Sequence, residues 1–359
     1  MRQLRVPRGD GMSFVSALPL LDTLAYWWRK LAGEPGRPWF MALKMIEVSA
    51  FLDNRLRHSG AGDHAPVRAF LADRPPNAVP ADPSVVVVVP AYCRSREDDQ
   101  RIRALLDALA SQTRGCRALL VDDGSPLRVA ARGVEVLRLD GNRGPAAARN
   151  CGLARALQLR ANVVALTDSD CVPDRGWIEE LVSAFRAERR AHAISGATWS
   201  LDRSRLGRYH ERNGTLNGRQ LRGGARLLYG PTCNLALTAE LARSIRFDET
   251  FRTAAAEDID FCFRANKSGW AIYHGPRAVV RHDFGYDGPG ALASIRKFWR
   301  QFRRYARGER QLLRKHPTYC RVFADSAELA LMVSGSQLPE DAGAGDSRLP
   351  LGQACAARD

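Results

Sequence analysis

Six acidic side chains fall in three short runs where carboxylates can do chemistry: Asp122 and Asp123 in "LLVDDGS", Asp168 and Asp170 in "VVALTDSDCVP", and Glu257 and Asp258 in "AEDIDF". The first two runs each end an apolar stretch suited to a buried strand. Like charges crowded at such a place repel unless a cation or a set of hydrogen-bond donors compensates them. A divalent ion is the economical compensation, because Mg²⁺ or Mn²⁺ takes one or two protein carboxylates and completes its shell with water and phosphate oxygens. In an extended chain the Asp-x-Asp spacing puts both side chains on one face, so one can grip the ion while the other orients a water or a sugar hydroxyl. Each run also has a purely structural reading. "DSD" can be a turn and helix cap, Asp122 can end a strand in a turn with Gly124, and Glu257 and Asp258 suit the first turn of a helix.

The elements that must position these acids follow from the flanking pattern. "VVVVVP", from Val85, is a run of five β-branched residues without alternation, which predicts a strand buried on both faces of a parallel sheet. "RIRALLDALASQ" repeats apolar residues at Ile102, Leu105, Leu106 and Leu109, the spacing of a helix packed on one side. Strands are expected at "RALLVD" and "VEVLRL" and at the segment before Asp168, and helices at "GPAAARNCGLARALQL" and "WIEELVSAF". That rhythm predicts an α/β fold with a mixed, mostly parallel sheet flanked by helices. Ligands of such sheets bind beyond the carboxyl ends of the strands, so the four aspartates of the first two runs are expected to face one crevice. From about 195 to 280 shorter strands ("LLYGPTCNLALT", "AIYHGPRAVVRH") surround one helix, "EDIDFCFRANKSG".

Composition sets the frame. The chain has 359 residues, 45% of them hydrophobic, enough for a sizeable core, and a formal net charge of +15 that favours phosphate-bearing or otherwise anionic partners. Eight cysteines without a C-x-x-C pair suggest neither a zinc site nor a disulfide framework, which fits reduced thiols in a cytoplasmic protein. No membrane span and no targeting segment is expected. Around Trp27 and Trp28 a core-packing or membrane-surface helix is possible. Four prolines in "RPPNAVPADPS" separate a helical N-terminal extension (1–80) from a catalytic domain (83–290). A basic C-terminal helix (291–318) and a flexible tail (321–359) follow.

In this order and register the fragments "VVVPAY", "LLVDDGS", "NRGPAAARNCGL", "ALTDSDCVPDRGWIEELV", "GPTCNLALTAEL" with "FDETF", "AEDIDFCFRANKSGW" and "VVRHDF" resemble the family 2 glycosyltransferases of GT-A fold, from about Val85 to Tyr305. The wording of "GPAAARN" and "DSDCVPDRGW" is especially similar to the mycofactocin-system members. The resemblance implies an inverting, metal-dependent glycosyltransferase that moves a sugar from a nucleoside-diphosphate donor (UDP-, dTDP- or GDP-linked) to an acceptor hydroxyl, with Mn²⁺ or Mg²⁺. It implies that Pro90, Tyr92, Asp122, Asp123, Arg149 and Asp168 meet the nucleotide sugar, that Asp170, Asp168 and His282 hold the metal, and that Asn234 meets the acceptor. Asp258 would be the catalytic base with Glu257 orienting it. Arg149 could equally be an exposed helix arginine, and His282 a structural histidine.

The chain departs from the family pattern at Cys93, where P-x-Y-N is usual, and at Gln301, Arg304 and Tyr305, which stand where processive members carry Q-x-x-R-W. The tyrosine and the lack of a membrane span imply a non-processive enzyme. The basic helix carries nine Lys or Arg against Glu309 in "SIRKFWRQFRRYARGERQLLRK". Phe298, Phe302 and Tyr305 would dock it on the catalytic domain while its cations meet a membrane face or an anionic acceptor; nucleic-acid binding and an unpartnered solvated face are the other readings. No nucleic-acid module is recognisable. The alternative to an enzyme is a basic RNA- or membrane-surface-binding protein that kept the fold without turnover. Salt-sensitive RNA binding, measured beside donor turnover, separates the two.

Overall fold

The computed structural model describes residues 38–57 and 74–328, apart from 130, 132, 222–224, 289 and 325. The segment around Trp27 and Trp28 and most of the expected tail lie outside the described residues.

The valine run forms β1 (Val85–Ala91) in the interior of an eight-stranded sheet. It is flanked by parallel β2 (Arg117–Asp122) and β4 (Val163–Leu166), and β3 (Glu135–Arg138) continues the parallel half beyond β2. Its alternate side chains serve two cores, which is why no polar residue interrupts the run. Val85, Val87 and Val89 pack with Ile102 and Leu105 of α2 (Arg96–Ala110) and with Trp177, Ile178 and Phe185 of α4 (Trp177–Ala187). Val86 and Val88 pack on the other face with Ala148 and Leu153 of α3 (Pro145–Gln158).

Beyond β4 the sheet becomes mixed: β9 (Leu235–Thr238) lies antiparallel between β4 and β6 (Ala193–Ser200), β10 (Ile272–His282) runs parallel to β6, and β5 (Cys171–Pro173) closes the edge antiparallel to β10. The α/β, mostly parallel architecture read from the pattern is the one observed. Two details differ. "AIYHGPRAVVRH" holds one eleven-residue strand, whose register slips between Gly275 and Val279 where Pro276 interrupts the ladder, and not several short ones. "LLYGPTCNLALT" is split: β8 (Leu227–Tyr229) joins β7 (Arg219–Leu221) and β11 (Ser326–Glu328) in a second, three-stranded sheet, a 3-10 turn spans Thr232–Asn234, and only β9 enters the main sheet.

The N-terminal helix α1 (Pro38–Arg57) lies against the basic helix α8 (Ala291–Lys315). Phe40 and Leu43 join Phe298 and Phe302 in one cluster, with Tyr209 of α5 (Arg205–Asn213) and with Phe284 and Tyr286. Asn54 donates to the Ala306 carbonyl and to Glu309, and Arg310 reaches Asp53 at 2.8 Å. The basic helix is therefore anchored along its length. The start of the expected flexible tail (321–359) instead lies in α9 (Tyr319–Ala324) and β11, and Tyr319 and Val322 pack against Leu312 and Leu313. Between β9 and the helix α7 (Glu257–Lys267) lies the short α6 (Ala239–Ser244). Among the described residues no helix is long and apolar enough to cross a membrane.

Candidate active site

The ends of β1 and β2 are stitched together. Asp123 N–H donates to the Ala91 carbonyl at 2.9 Å, and Cys93 N–H donates to Ser125 Oγ at 2.8 Å. Cys93 thus works through its backbone. Its neighbour Tyr92 stays 38% exposed, with the Arg94 guanidinium 5.8 Å from its ring centroid.

The expectation that four aspartates face one crevice is corrected here. Asp122 is buried, accepts from Ser125 N–H at 2.9 Å and pairs with Arg138. Asp123 is buried as well, and its two oxygens accept from the Arg143 and Gly144 amides at 2.7 and 2.9 Å. Burial pushes its pKa up against those two bonds. Both carboxylates face protein donors and fix the loops that lead into α3.

The charged centre is built around Arg149, which α3 carries to 2% exposure. Its Nη2 donates to Asp168 Oδ1 at 2.7 Å and its Nη1 to Glu257 Oε1 at 2.8 Å. Burial works against the charge, but the two carboxylates outweigh it and keep the guanidinium protonated. The side chain expected to touch the nucleotide or solvent is thus a buried bridge between the Asp-x-Asp run and the "AED" run. Neither reading of the sequence contained that bridge. Its Nε and Glu257 Oε2 are buried without a hydrogen-bond partner.

Next to the bridge, Asp258 is part-exposed in the first turn of α7 and accepts from Ile259 N–H at 2.8 Å. Desolvation first, then Glu257, raise its pKa to about 7, and Arg149 holds it from rising further. A carboxylic acid poised there can take a proton near neutrality. The turn before it is strained: Ala256 adopts a left-handed φ of +69°. Two glycines hold that loop. A Cβ at Gly144 would lie 2.6 Å from the Arg252 carbonyl oxygen, and one at Gly308 of α8 would collide with the Ala255 carbonyl. Two residues past Asp258, Asp260 is fully buried and bound to Arg264 at 2.8 Å, Lys315 at 2.7 Å and His316 at 2.8 Å. Although burial works against ionisation, those cations depress its pKa to about 2.

Asp170 and His282 meet because β5 and β10 pair with His282 opposite Cys171, and Asp283 N–H donates to the Asp170 carbonyl at 2.8 Å. Asp170 Oδ1 and His282 Nε2 are 3.4 Å apart. Two cis ligands of an octahedral Mg²⁺ or Mn²⁺ with bonds of ~2.1 Å are about 3.0 Å apart, so this pair fits such an ion. Desolvation raises the Asp170 pKa, His282 opposes the rise and Asp168 adds to it. His282 Nδ1 is buried without a partner. Cys171 also lies in the group, its ligand atom within 4.8 Å of those of Asp170 and His282, and Asp168 is not part of it. Cys171 is fully buried with its thiol pKa pushed well up by desolvation, so it is a poor donor to a hard ion. Asp168, expected as a ligand, has one oxygen committed to Arg149.

Asn234 is corrected outright. It is fully buried, its Nδ2 donates to the Ala197 and Ala278 carbonyls at 2.9 Å each, and its Oδ1 accepts from Trp177 Nε1 at 2.8 Å. It ties β6, β10 and α4 together and has no face left for an acceptor. The sequence reading passed over Asp202, which accepts from the amides of Phe284, Tyr286 and Asp287 and so shapes the loop after His282. Its only sequence signal is an isolated acid at a strand end.

Comparison with known proteins finds one family model that matches: "Glycosyl transferase family 2" over residues 86–245, under half of the chain. Those residues are similar to the family 2 glycosyltransferases. A pre-mycofactocin glycosyltransferase of Mycobacterium tuberculosis is 32% identical over 224 residues, covering 58% of this chain and 44% of the relative. The chain thus spans under half the length of that curated relative. Two solved structures are similar at low identity. TarS residues 1–349 of S. aureus with UDP gives a TM-score of 0.44 at 18% identity, over 61% of this chain and 64% of that one. A mannosyltransferase of Pyrobaculum calidifontis with GDP-Man and Mn²⁺ gives 0.42 at 17%, over 80% and 83%. Within the matched residues lie Asp168, Asp170 and Arg149, while Glu257, Asp258 and His282 lie beyond residue 245.

Proposed function

We propose that the chain is an inverting, metal-dependent, non-processive glycosyltransferase that moves one sugar from a nucleoside-diphosphate donor to an acceptor hydroxyl. The observation that carries this reading is Asp258, part-exposed with its pKa near 7, linked through Glu257 and Arg149 to Asp168, two residues before Asp170. Transfer with inversion needs a base within reach of the attacking hydroxyl, and Asp258 has the proton affinity for that step. Glu257 raises and Arg149 lowers that affinity. Asp170 and His282 would hold Mn²⁺ or Mg²⁺, which supplies neutralisation of the charge left on the departing diphosphate. The loops after β1 and β2, with the ring of Tyr92, would take the nucleoside, and Asp122 and Asp123 keep those loops in shape. Gln301 and Tyr305 bond each other, Nε2 to OH at 2.7 Å, and Tyr286 donates to Gln301. The two motif positions are therefore engaged inside the protein, which suits single transfer better than polymer extension. Six free cysteines among the described residues fit a cytoplasmic setting.

The test is a panel of UDP-, dTDP- and GDP-sugars with Mn²⁺ or Mg²⁺, scored for nucleoside-diphosphate release and for the anomeric configuration of the product. Release with at least one donor, inversion, and loss on adding EDTA are expected. Full turnover in both Asp170→Asn and Asp258→Asn would sink the assigned roles.

A further inference from the structure

The basic helix α8 has an outer face that its anchoring does not explain. Its inner face is taken up by Ser294, Phe298, Phe302, Ala306, Leu312 and Leu313, all buried. On the other side Leu292 is 86% exposed, Ile295 44% and Trp299 43%, at the i, i+3, i+7 spacing of one helical stripe. Further along the same side the stripe becomes cationic. Arg300, Arg303 and Arg307 are exposed, and the Arg303 guanidinium lies 4.9 Å from the Trp299 ring centroid. The helix's single acid, Glu309, is buried on the inner side, where it accepts from Asn54. Apolar groups and arginines alone thus form the solvent-facing stripe.

We propose that this face of α8 docks on an anionic lipid surface, with Leu292, Ile295 and Trp299 entering the headgroup boundary and the arginines contacting lipid phosphates. Three observations favour a bilayer over other occupants. A nucleic acid would be met by the arginines, but it offers nothing to Leu292, the most exposed large apolar side chain among the described residues. A second copy of the chain would set arginine rows of the two protomers against each other. A membrane interface accepts both halves, because Trp sits at headgroup level, aliphatic side chains enter the acyl boundary and guanidinium groups pair with phosphate. The inner-face contacts to α1 and the core hold the helix straight before it meets lipid, so docking needs no folding step. Gly308, on the same helix, packs against Ala255 beside Asp258, so docking would hold the acidic centre close to the lipid surface. The proposal does not depend on glycosyl transfer, and its test uses no donor.

The test is flotation of the full chain with phosphatidylcholine vesicles, with and without phosphatidylglycerol, at low and high salt, beside gel filtration without lipid and titration with a short RNA. Flotation roughly tenfold higher on the anionic vesicles, weakened by salt, is expected. Leu292→Glu leaves the core untouched and should lower binding by roughly tenfold, and the pair Arg300→Glu and Arg303→Glu should abolish the preference for anionic lipid. Equal flotation on both vesicles overturns the proposal, as does Leu292→Glu floating like the parent protein. So does a chain that ignores vesicles, whether it binds the RNA or forms a dimer that Leu292→Glu dissolves. Unchanged thermal melting of each variant establishes that a lost signal reports docking.

Discussion

Asp258 and Asp260 stand two residues apart in the first turn of one helix and behave as opposites. Asp258 faces the clamp of Arg149, Glu257 and Asp168, with more acids than cations around it, and its pKa is pushed up to about 7. Asp260 is turned to the other side, where His316, Lys315 and Arg264 surround it, and its pKa falls to about 2. The same side chain on the same helix becomes a proton acceptor in one setting and an anchor in the other. What separates them is the company brought by distant segments, α3 and β4 in one case and the end of α8 in the other.

Four substitutions sharpen or break that contrast. Asp258→Asn should lower turnover by ~10²–10⁴-fold, the usual contribution of a general base, and leave the melting temperature level or higher because a repelled carboxyl is removed. A variant that turns over at the parent rate ends the assignment. Asp260→Asn should do the reverse. It leaves His316 beside a neutral amide and Lys315 with Asp248 alone, and should cost about 3–5 kcal/mol of stability by denaturant titration, with turnover per folded molecule kept. Arg149→Gln removes the cation that restrains Asp258, leaving Glu257 and Asp168 facing it. The acid limb of kcat/KM, expected near pH 7 in the parent, should move up by about one unit, so that the rate at pH 7 falls roughly fivefold and recovers at higher pH. A uniform loss at every pH would mean that Arg149 only shapes the fold. Gly308→Ala should cost about 1–3 kcal/mol, because its methyl meets the Ala255 carbonyl.

The two acids also give stability opposite pH dependences. Asp260 has a folded pKa below the ordinary 3.8, so its stabilisation is present above that value and lost as the pH falls through about 2; acid unfolding should be steepest between those two values. Asp258 has a folded pKa above its ordinary value. Its unfolded form gives up the proton first, so the cost of keeping it folded grows from about pH 4 to 7 and then levels. Denaturant midpoints measured across that range in the parent and in Asp258→Asn should diverge as the pH rises.

The sequence was most informative where neighbours along the chain decide the outcome. The unalternating valines, the one-sided helices and the acids at strand ends could be placed because burial period and local chemistry are written in consecutive residues. The meeting of Asp170 and His282 was legible only through the resemblance, since strand pairing joins them across more than a hundred residues. Arg149, Asp202 and Asn234 were misjudged or missed for that reason. An arginine after three alanines reads as helix surface until Glu257, 108 residues on, is seen to receive it. Asp260 falls within the expected helix "EDIDFCFRANKSG", and nothing local announces that Lys315 and His316 return to it.

The bend at Ala256 has a bearing on engineering. Since two side-chain-free positions on separate helices press on the segment from either side, its shape belongs to the spacing of those helices as much as to its own residues. Grafting that segment from a relative would transplant a key without its lock unless positions 144 and 308 travel with it.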